Sequence, residues 1–352
     1  MLRTIILLAI ASLLFFSCGS KREKGDKTMS CTLEAQAQDA ATVEQISKAL
    51  RERLINYGFA EDEIAIGVKG NRIEISLRNV DPGKDKDRLM MLLQASEGLE
   101  IWETYENAEL LRQLIDADIL LSADQKKDTV TPPAPAPAPQ DTSLIGLARQ
   151  KEAEKNKTEE LPPYGKNVLL ELLNPMYDQT NGPYPGPAVG SSRATDTAKV
   201  NAYLSDPRVR ALFPHNTRFS WTAKPQQAAT GNMYYQLIAL KARDGKAAMS
   251  QIECSEVEVV ENDVNGGQEI SMKMTAGHAR EWERLTEKNI GRALALVLDG
   301  SVHTYPVVQS KISGGNCQIT GNFTKQEAED IANLVRTKGL PAQVRIVEMK
   351  LE

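Results

Sequence analysis

The chain has 352 residues, 41% of them hydrophobic, which is enough to bury one or two cores of ordinary domain size. Its formal net charge is -5 and its 42 basic residues are spread along the chain, so nucleic acid is not an expected partner. After the amino terminus, no apolar run reaches the length of about 20 residues that a membrane-spanning helix needs. The composition therefore predicts two globular domains rather than a membrane bundle.

The amino terminus has the pattern of a secretory signal. Arg3 supplies a positive charge, the stretch from Ile5 to Phe16 is apolar, and a small residue then precedes Cys18. This junction resembles the lipobox of bacterial lipoproteins, in which the cysteine is acylated and becomes the new amino terminus. We predict that residues 1–17 are a lipoprotein signal peptide, that Cys18 carries lipid, and that residues 18–31 form a solvated tether. An uncleaved anchor is the alternative.

The first folded block is predicted to be a base domain over residues 32–121. Apolar residues at helical or alternating spacing and a Gly70-Asn71 turn mark its elements. The predicted elements are, in chain order, a strand from Thr32 to Ala37, a helix from Thr42 to Tyr57, a hairpin over residues 64–77, a helix beginning at Asp81-Pro82, and a strand over residues 99–102. This order is that of the ferredoxin-like βαββαβ fold.

A spacer is predicted over residues 122–162. The segment from Thr131 to Gln140 has the sequence TPPAPAPAPQ, and repeated proline favours an extended polyproline II conformation. A charged stretch continues the spacer up to the second folded block, a head domain over residues 163–340.

The head domain is clearest near its end. Asp299-Gly300 lies between two apolar runs and predicts a hairpin, and Thr324 with Glu327 predicts a capping box that begins a helix. The last apolar alternation lies in residues 341–352, and we predict that it returns as a strand to the sheet of the base domain. The predicted fold class is therefore α+β, a ferredoxin-like base domain with an inserted α+β head domain.

Several of these stretches resemble the first periplasmic domain of the SecD/SecDF protein-export factors. The resemblance is carried by ALALVLDGSVHTYPVV from Ala293 to Val308, ISGGNCQITGNF from Ile312 to Phe323, and EAEDIANLVRTKGLPA from Glu327 to Ala342. LEIWETYENAEL from Leu99 to Leu110 and WTAKP from Trp221 to Pro225 are similar to the family as well. The resemblance covers nearly everything after the tether except the proline-rich spacer.

The resemblance implies a base into which a head is inserted, with the chain returning to the base at its end. In that family the domain stands on the outer face of the inner membrane and contacts emerging polypeptide, and its head changes orientation as protons pass through attached transmembrane helices. Two features of the family are missing here. The sequence has no transmembrane bundle, and Thr32 to Gln38 reads TLEAQAQ in place of the family's D-L-x-G-G stretch. Proton-driven activity of this chain alone is therefore not expected.

No pattern predicts an enzyme, a metal site or a cofactor. His215, His278 and His303 lack metal-ligand spacing, and the sequence contains neither a phosphate-binding loop nor a nucleophile elbow. The histidines are predicted to be exposed or half-buried structural residues.

Besides Cys18, the chain has Cys31, Cys254 and Cys317, so at most one internal disulfide can form. The pair to test is Cys254 with Cys317. Three buried thiols that act as small hydrophobic residues are the open alternative.

Two functions remain open from the sequence. In the first, a periplasm-facing, lipid-anchored protein of the inner or outer membrane binds unfolded or translocating polypeptide, or components of the Sec translocon, through a sheet edge or apolar groove in the head. Trp221, Tyr234 and Tyr235 are the candidate peptide contacts, unless they pack in the head core. In the second, a diverged structural or interaction lipoprotein of the outer membrane has unrelated partners. Gly19 favours it, because many inner-membrane lipoproteins carry Asp at this position.

Overall fold

The computed structural model describes residues 22–37, 39–127, 168–227, 231–262 and 266–352. The predicted signal peptide, Cys18 and most of the predicted spacer lie outside these residues. The chain divides into two compact units: the first contains the residues up to Ser96 together with Gly339–Glu352, and the second contains Glu97–Lys338. In sequence, the second unit is thus an insertion into the first.

Strands and α-helices are numbered in chain order. The described elements are β1 (Lys27–Ala35), α1 (Ala40–Tyr57), β2 (Ile64–Lys69), β3 (Arg72–Val80), α2 (Pro82–Gln94), β4 (Leu99–Thr104), α3 (Asn107–Lys127), β5 (Asn174–Pro175), β6 (Tyr177–Asp178), β7 (Gly182–Pro183), β8 (Ala188–Arg193), α4 (Thr197–Ser205), α5 (Pro207–Arg210), β9 (Thr217–Trp221), β10 (Gln226–Gln227), β11 (Met233–Lys241), β12 (Cys254–Glu261), β13 (Gln268–Met274), α6 (Ala276–Lys288), β14 (Leu294–Leu298), β15 (Ser301–Thr304), β16 (Asn316–Phe323), α7 (Lys325–Thr337) and β17 (Val344–Leu351).

The first unit is an antiparallel sheet in the order β17-β1-β3-β2, with α1 and α2 between its strands in sequence. The element order of this unit is βαββαβ, as the sequence predicts, but its last strand is β17 and not the predicted strand over residues 99–102. The predicted return of the chain end to the base sheet is therefore confirmed. Alternating residues of β1 are buried, among them Met29, Leu33 and Ala35, and they form one face of the core.

The predicted carboxyl end of the base, residue 121, is wrong. β4 pairs with β14 and β11 of the second unit, and α3 packs into the core of that unit. The reason lies in the burial of β4: Ile101 and Trp102 are neighbours in sequence that point to opposite faces, and both are buried. A strand buried on both faces belongs inside a covered sheet, whereas β17 already completes the base.

The predicted tether is also wrong from Arg22 onward. Strand β1 begins at Lys27, five residues before the predicted start at residue 32, and pairs there with Val80. The Arg22 side chain is only 5% exposed and contacts Glu63 and Asp85 at 3.3 and 3.2 Å. Arg22, one of the charged residues that predict a solvated tether, therefore forms ion pairs with carboxylates of the base.

The helix predicted from Thr42 begins earlier, at Ala40. Asp39 is its N-cap residue and accepts a hydrogen bond from the Thr42 N–H at 2.8 Å. The Asp81-Pro82 start of α2 and the Thr324–Glu327 capping box of α7 are confirmed.

The second unit contains two larger sheets. One has the strand order β15-β14-β4-β11-β8-β5, with β9 and β10 paired to β11 as well, and the other has the order β12-β13-β16. α7 contacts all three strands of the smaller sheet. With helices and antiparallel strands in both units, the α+β fold class is confirmed.

The structure holds the three described cysteines as free thiols. Cys254 lies opposite Met274 and Cys317 opposite Met272, so strand β13 runs between the two. Two strand spacings separate their backbones by roughly 9.5 Å, which exceeds the limit of about 7 Å for a disulfide. Burial raises the pKa of the Cys317 thiol to about 12, and the alternative of buried thiols fits Cys31 and Cys317.

Within the described residues, the helices fall short of the length and apolar character that crossing a bilayer demands.

Candidate functional site

A groove of about 1230 Å³ runs along the outer edge of β9 in the second unit. Its walls come from β9, the end of α4, the end of α5 with residues 215–216, the turn over residues 242–245 and the turn between β14 and β15. A cavity of this size accommodates several residues of an extended chain rather than a single small molecule.

The sequence of β9 explains why a strand forms here. Thr217-Arg-Phe-Ser-Trp221 contains one β-branched and two aromatic residues, which favour extended backbone. Phe219 and Trp221 pack against the larger core of the unit, and the Phe219 ring lies 5.1 Å from the Phe213 ring in an edge-to-face arrangement. The aromatic side chains of β9 therefore share one face, and Arg218 and Ser220 occupy the other.

The start of α5 positions the opposite wall. Asp206 precedes Pro207, and its carboxylate accepts hydrogen bonds from the Arg208 backbone N–H at 2.9 Å and from the Arg208 guanidinium at 2.7 Å. These bonds lower the pKa of Asp206 to about 2. The capped turn fixes α5, whose last residue, Arg210, lines the groove.

The outer edge of β9 carries backbone groups that take no part in the sheet. Ala239 lies opposite Phe219, but its N–H donates to the Pro187 C=O at 3.0 Å and its C=O accepts from the Tyr105 N–H at 2.9 Å, on the far side of β11. In an antiparallel pair that exchanges no hydrogen bonds, the polar groups of both residues point away from their shared edge. Phe219 therefore turns its N–H and C=O toward the groove, where the described part of the chain offers them no partner.

This open edge is short. Beyond Trp221 it is closed by β15, because Thr222 forms a parallel bridge with Val302 and the Ala223 N–H donates to the Val302 C=O at 2.8 Å. The open stretch is centred on Phe219. It has room for a short added strand, not for a second sheet.

Arginine side chains outnumber carboxylates on the groove wall, where Arg210, Arg218 and Arg243 lie with Asp244. Arg243 is already bound to Glu103 at 2.7 Å. Burial raises the pKa of Glu103, but hydrogen bonds from Arg243 and other donors outweigh it and hold this pKa below its usual value. Neither Arg210 nor Arg218 forms a salt bridge with any described residue.

One buried polar atom at the groove lacks a partner. Thr217 is 1% exposed, and its Oγ1 has no hydrogen-bond partner within the described ranges. A buried hydroxyl without a partner is costly, and at a binding site it is available to a ligand.

The structure brings only one of the predicted peptide contacts to this groove. Trp221 lines it, and its indole N–H donates to Asn201 Oδ1 at 2.9 Å. Tyr234 and Tyr235 are half-buried on β11 opposite Arg193 and Ser192, away from the groove wall. Their contact with peptide stays a prediction, and Cys18 lies outside the described residues.

Sequence reasoning missed Phe219, Arg218, Arg210 and Thr217. The alternation of residues 217–221 is a signal that predicts the strand. Its free edge depends on the pairing of Ala239, which no local pattern encodes.

The described residues contain no cluster of three or more metal-ligating side chains. His215 lines the groove, and His303 is half-buried on β15. Burial lowers the pKa of His303 to about 4, so this side chain is neutral at pH 7.

Fold and site together define a two-unit α+β protein with a short open sheet edge in a groove. Residues 236–342 match the family model described as the P1 head subdomain of SecDF. The chain is 30% identical over 332 residues to the protein translocase subunit SecD of Rhodothermus marinus, which covers 94% of this chain and 49% of that protein. It is also 44% identical over 81 residues to SecD of Syntrophobacter fumaroxidans, covering 23% of this chain and 15% of that one.

Two solved SecDF structures align with most of this chain. A crystal structure of SecDF in its super-membrane-facing form aligns with a TM-score of 0.49 at 18% identity, covering 94% of this chain and 32% of that one. A second SecDF structure, of a membrane component that enhances protein export, aligns with a TM-score of 0.47 at 19% identity, covering 91% and 99%.

The sequence comparisons confirm the resemblance that the motifs predict: residues 236–342 are similar to the P1 head subdomain of SecDF, and most of the chain aligns with a SecD protein. It spans about half the length of the Rhodothermus relative.

Proposed function

We propose that this chain is a non-enzymatic envelope lipoprotein that assists protein export by binding extended, unfolded polypeptide along the edge of β9. The observation that carries the proposal is that the N–H and C=O of Phe219 face the groove without a partner in the part of the chain that the structure describes. An extended peptide that pairs with such an edge gains main-chain hydrogen bonds whatever its sequence. Binding that does not depend on the peptide's sequence suits a protein that must bind many different unfolded polypeptides, its clients.

The relatives support the direction of this proposal. SecD is a protein translocase subunit, so a homologous periplasmic domain points to secreted polypeptides or to components of the Sec translocon as partners. The proposed role is holding a client, without proton-driven activity of this chain's own.

The test is site-specific photocrosslinking in cells. A photoreactive amino acid at Arg218, on the groove wall, is expected to capture secreted polypeptides, whereas one at Lys273, exposed on β13, is the matched control. Crosslinks to Sec components also support the proposal, because they place the domain at the export site. Capture of neither class from position 218, or equal capture from both positions, contradicts it.

The lipid anchor is the second part of the proposal. Arg22 is fixed in the base only four residues after Cys18, so an acyl group on Cys18 would hold the base within about 14 Å of the attachment point. The connection between lipid and fold is thus much shorter than the predicted tether.

We expect Cys18→Ser to move the protein from the membrane fraction to the soluble periplasmic fraction, because the residue that accepts the lipid is lost. Cys31→Ser is the control, since Cys31 is buried in β1. Labelling with an alkyne fatty acid reports the modification directly. A Cys18→Ser protein that stays with the membrane and keeps the label refutes the anchor.

A further inference from the structure

We infer that the groove prefers extended segments in which acidic and apolar side chains alternate. This inference deepens the proposed function and rests on it. It comes from the two faces of β9 and from the charges that the groove leaves unpaired.

The faces of β9 differ in chemistry. Phe219 and Trp221 lie on the face that packs against the larger core. Arg218 lies on the opposite face, is exposed, and holds its guanidinium 5.1 Å from the centroid of the Trp102 ring. Side chains of an added strand alternate between the same two faces, and directly opposed side chains lie about 4.5–5.5 Å apart. A client residue opposite Phe219 therefore meets an aromatic surface, and its neighbours meet Arg218.

The charges of the groove favour acids on the second face. Arg243 is held by Glu103, and the wall contains one carboxylate, Asp244. Arg218 lies on this face and has no salt-bridge partner in the ranges that the structure describes. Its charge acts on the Glu100 carboxylate, which already accepts a hydrogen bond from the Trp102 indole N–H, so a client carboxylate can still pair with Arg218.

The expected preference is modest, because exposed cross-strand charge pairs contribute little. One such pair corresponds to a preference of about two- to fivefold over a neutral side chain. The preference should shrink as salt is raised, since the groove is open to solvent.

The test compares three fluorescent, unstructured peptides of equal length that share the same apolar residues and alternate them with Glu, Gln or Lys. Fluorescence anisotropy with the full chain is expected to rank the affinities Glu, then Gln, then Lys. Arg218→Gln should abolish the advantage of the Glu peptide over the Gln peptide and leave the Gln peptide unaffected. Lys273→Gln, at an exposed cation of the other sheet, should change nothing.

The outcomes separate the two proposals. Equal binding of all three peptides, or a Glu preference that survives Arg218→Gln, overturns the inference and leaves the proposed function standing. Failure of all three peptides to bind overturns the proposed function as well. Circular dichroism of both variants shows whether either substitution disturbs the fold.

Discussion

Replacing Arg22 with alanine is expected to lower the free energy of unfolding of the first unit by about 3–5 kcal/mol. Arg22 is 5% exposed and contacts the carboxylates of Glu63 and Asp85, whose side chains are 2% and 3% exposed. Its guanidinium also stacks over the Phe59 ring, 3.8 Å from the centroid. Removing the cation leaves two buried carboxylates with reduced compensation, which is far more costly than losing a surface ion pair.

The matched control is Arg78→Ala. Arg78 pairs with Asp62 at 3.4 Å, but both side chains are largely exposed, at 60% and 81%. Exposed pairs contribute about 0–1 kcal/mol, so this variant should unfold almost like the parent protein. Urea unfolding together with hydrogen exchange of the β1 amides would separate the two cases. A loss below about 1 kcal/mol for Arg22→Ala would show that the amino-terminal segment is not part of the base.

Lowering the pH should weaken the ion-pair cluster of Arg22, Glu63 and Asp85. A hydrogen bond from Lys24 lowers the pKa of Glu63 to about 2, against the opposing effect of burial, and Asn79 adds a further bond. A carboxylate with a depressed pKa stabilises the fold fully above its unfolded-state pKa of about 4.5, and this stabilisation is lost as the pH falls toward about 2. The free energy of unfolding of the parent protein should therefore fall as the pH is lowered from about 4.5 toward about 2.

Local signals in the sequence predicted much of the fold because their causes are local. Asp299 and Gly300 both have positive φ angles, 48° and 74°, as a two-residue hairpin turn requires, and they join β14 to β15 as expected. Thr324 and Glu327 cap α7 through reciprocal hydrogen bonds. In each case, side chains within a few residues determine the backbone.

The errors concern contacts between residues far apart in the sequence. A strand is correctly predicted over residues 99–102, but the strands that pair with it, Leu294–Leu298 and Met233–Lys241, follow more than 100 residues later. Arg22 has the composition of a tether and becomes structured only because Glu63 and Asp85 lie beside it in the fold. Alternation and charge predict which residues are extended or solvated, but not which strand or carboxylate they meet.

In the candidate site, too, the features that depend on local sequence are predicted and those that depend on distant contacts are not. Trp221 was found as an aromatic residue in the head, and it does line the groove. Phe219 was missed because its importance lies in its backbone. Its N–H and C=O have no partner among the described residues, because Ala239 forms its own hydrogen bonds on the other side of β11.

The second large effect is expected on the affinity for polypeptide. Phe219→Pro tests most directly the claim that the edge of β9 binds an extended chain. Phe219→Pro removes the N–H that faces the groove, but it breaks no hydrogen bond to β11, because this residue makes none across that pair. Proline is tolerated at an edge position whose N–H faces outward. Phe219→Ala is the matched control, since it loses the same ring and keeps the N–H.

The measurement is the affinity of the full chain for an unfolded, fluorescent polypeptide, compared between the two variants. If a carbonyl of the bound polypeptide loses its hydrogen-bond donor, the binding free energy weakens by about 1–3 kcal/mol. Phe219→Pro should therefore bind about tenfold more weakly than Phe219→Ala. Thermal unfolding of both variants verifies that the second unit stays folded. Equal affinities of two folded variants would contradict the claim that this sheet edge binds polypeptide.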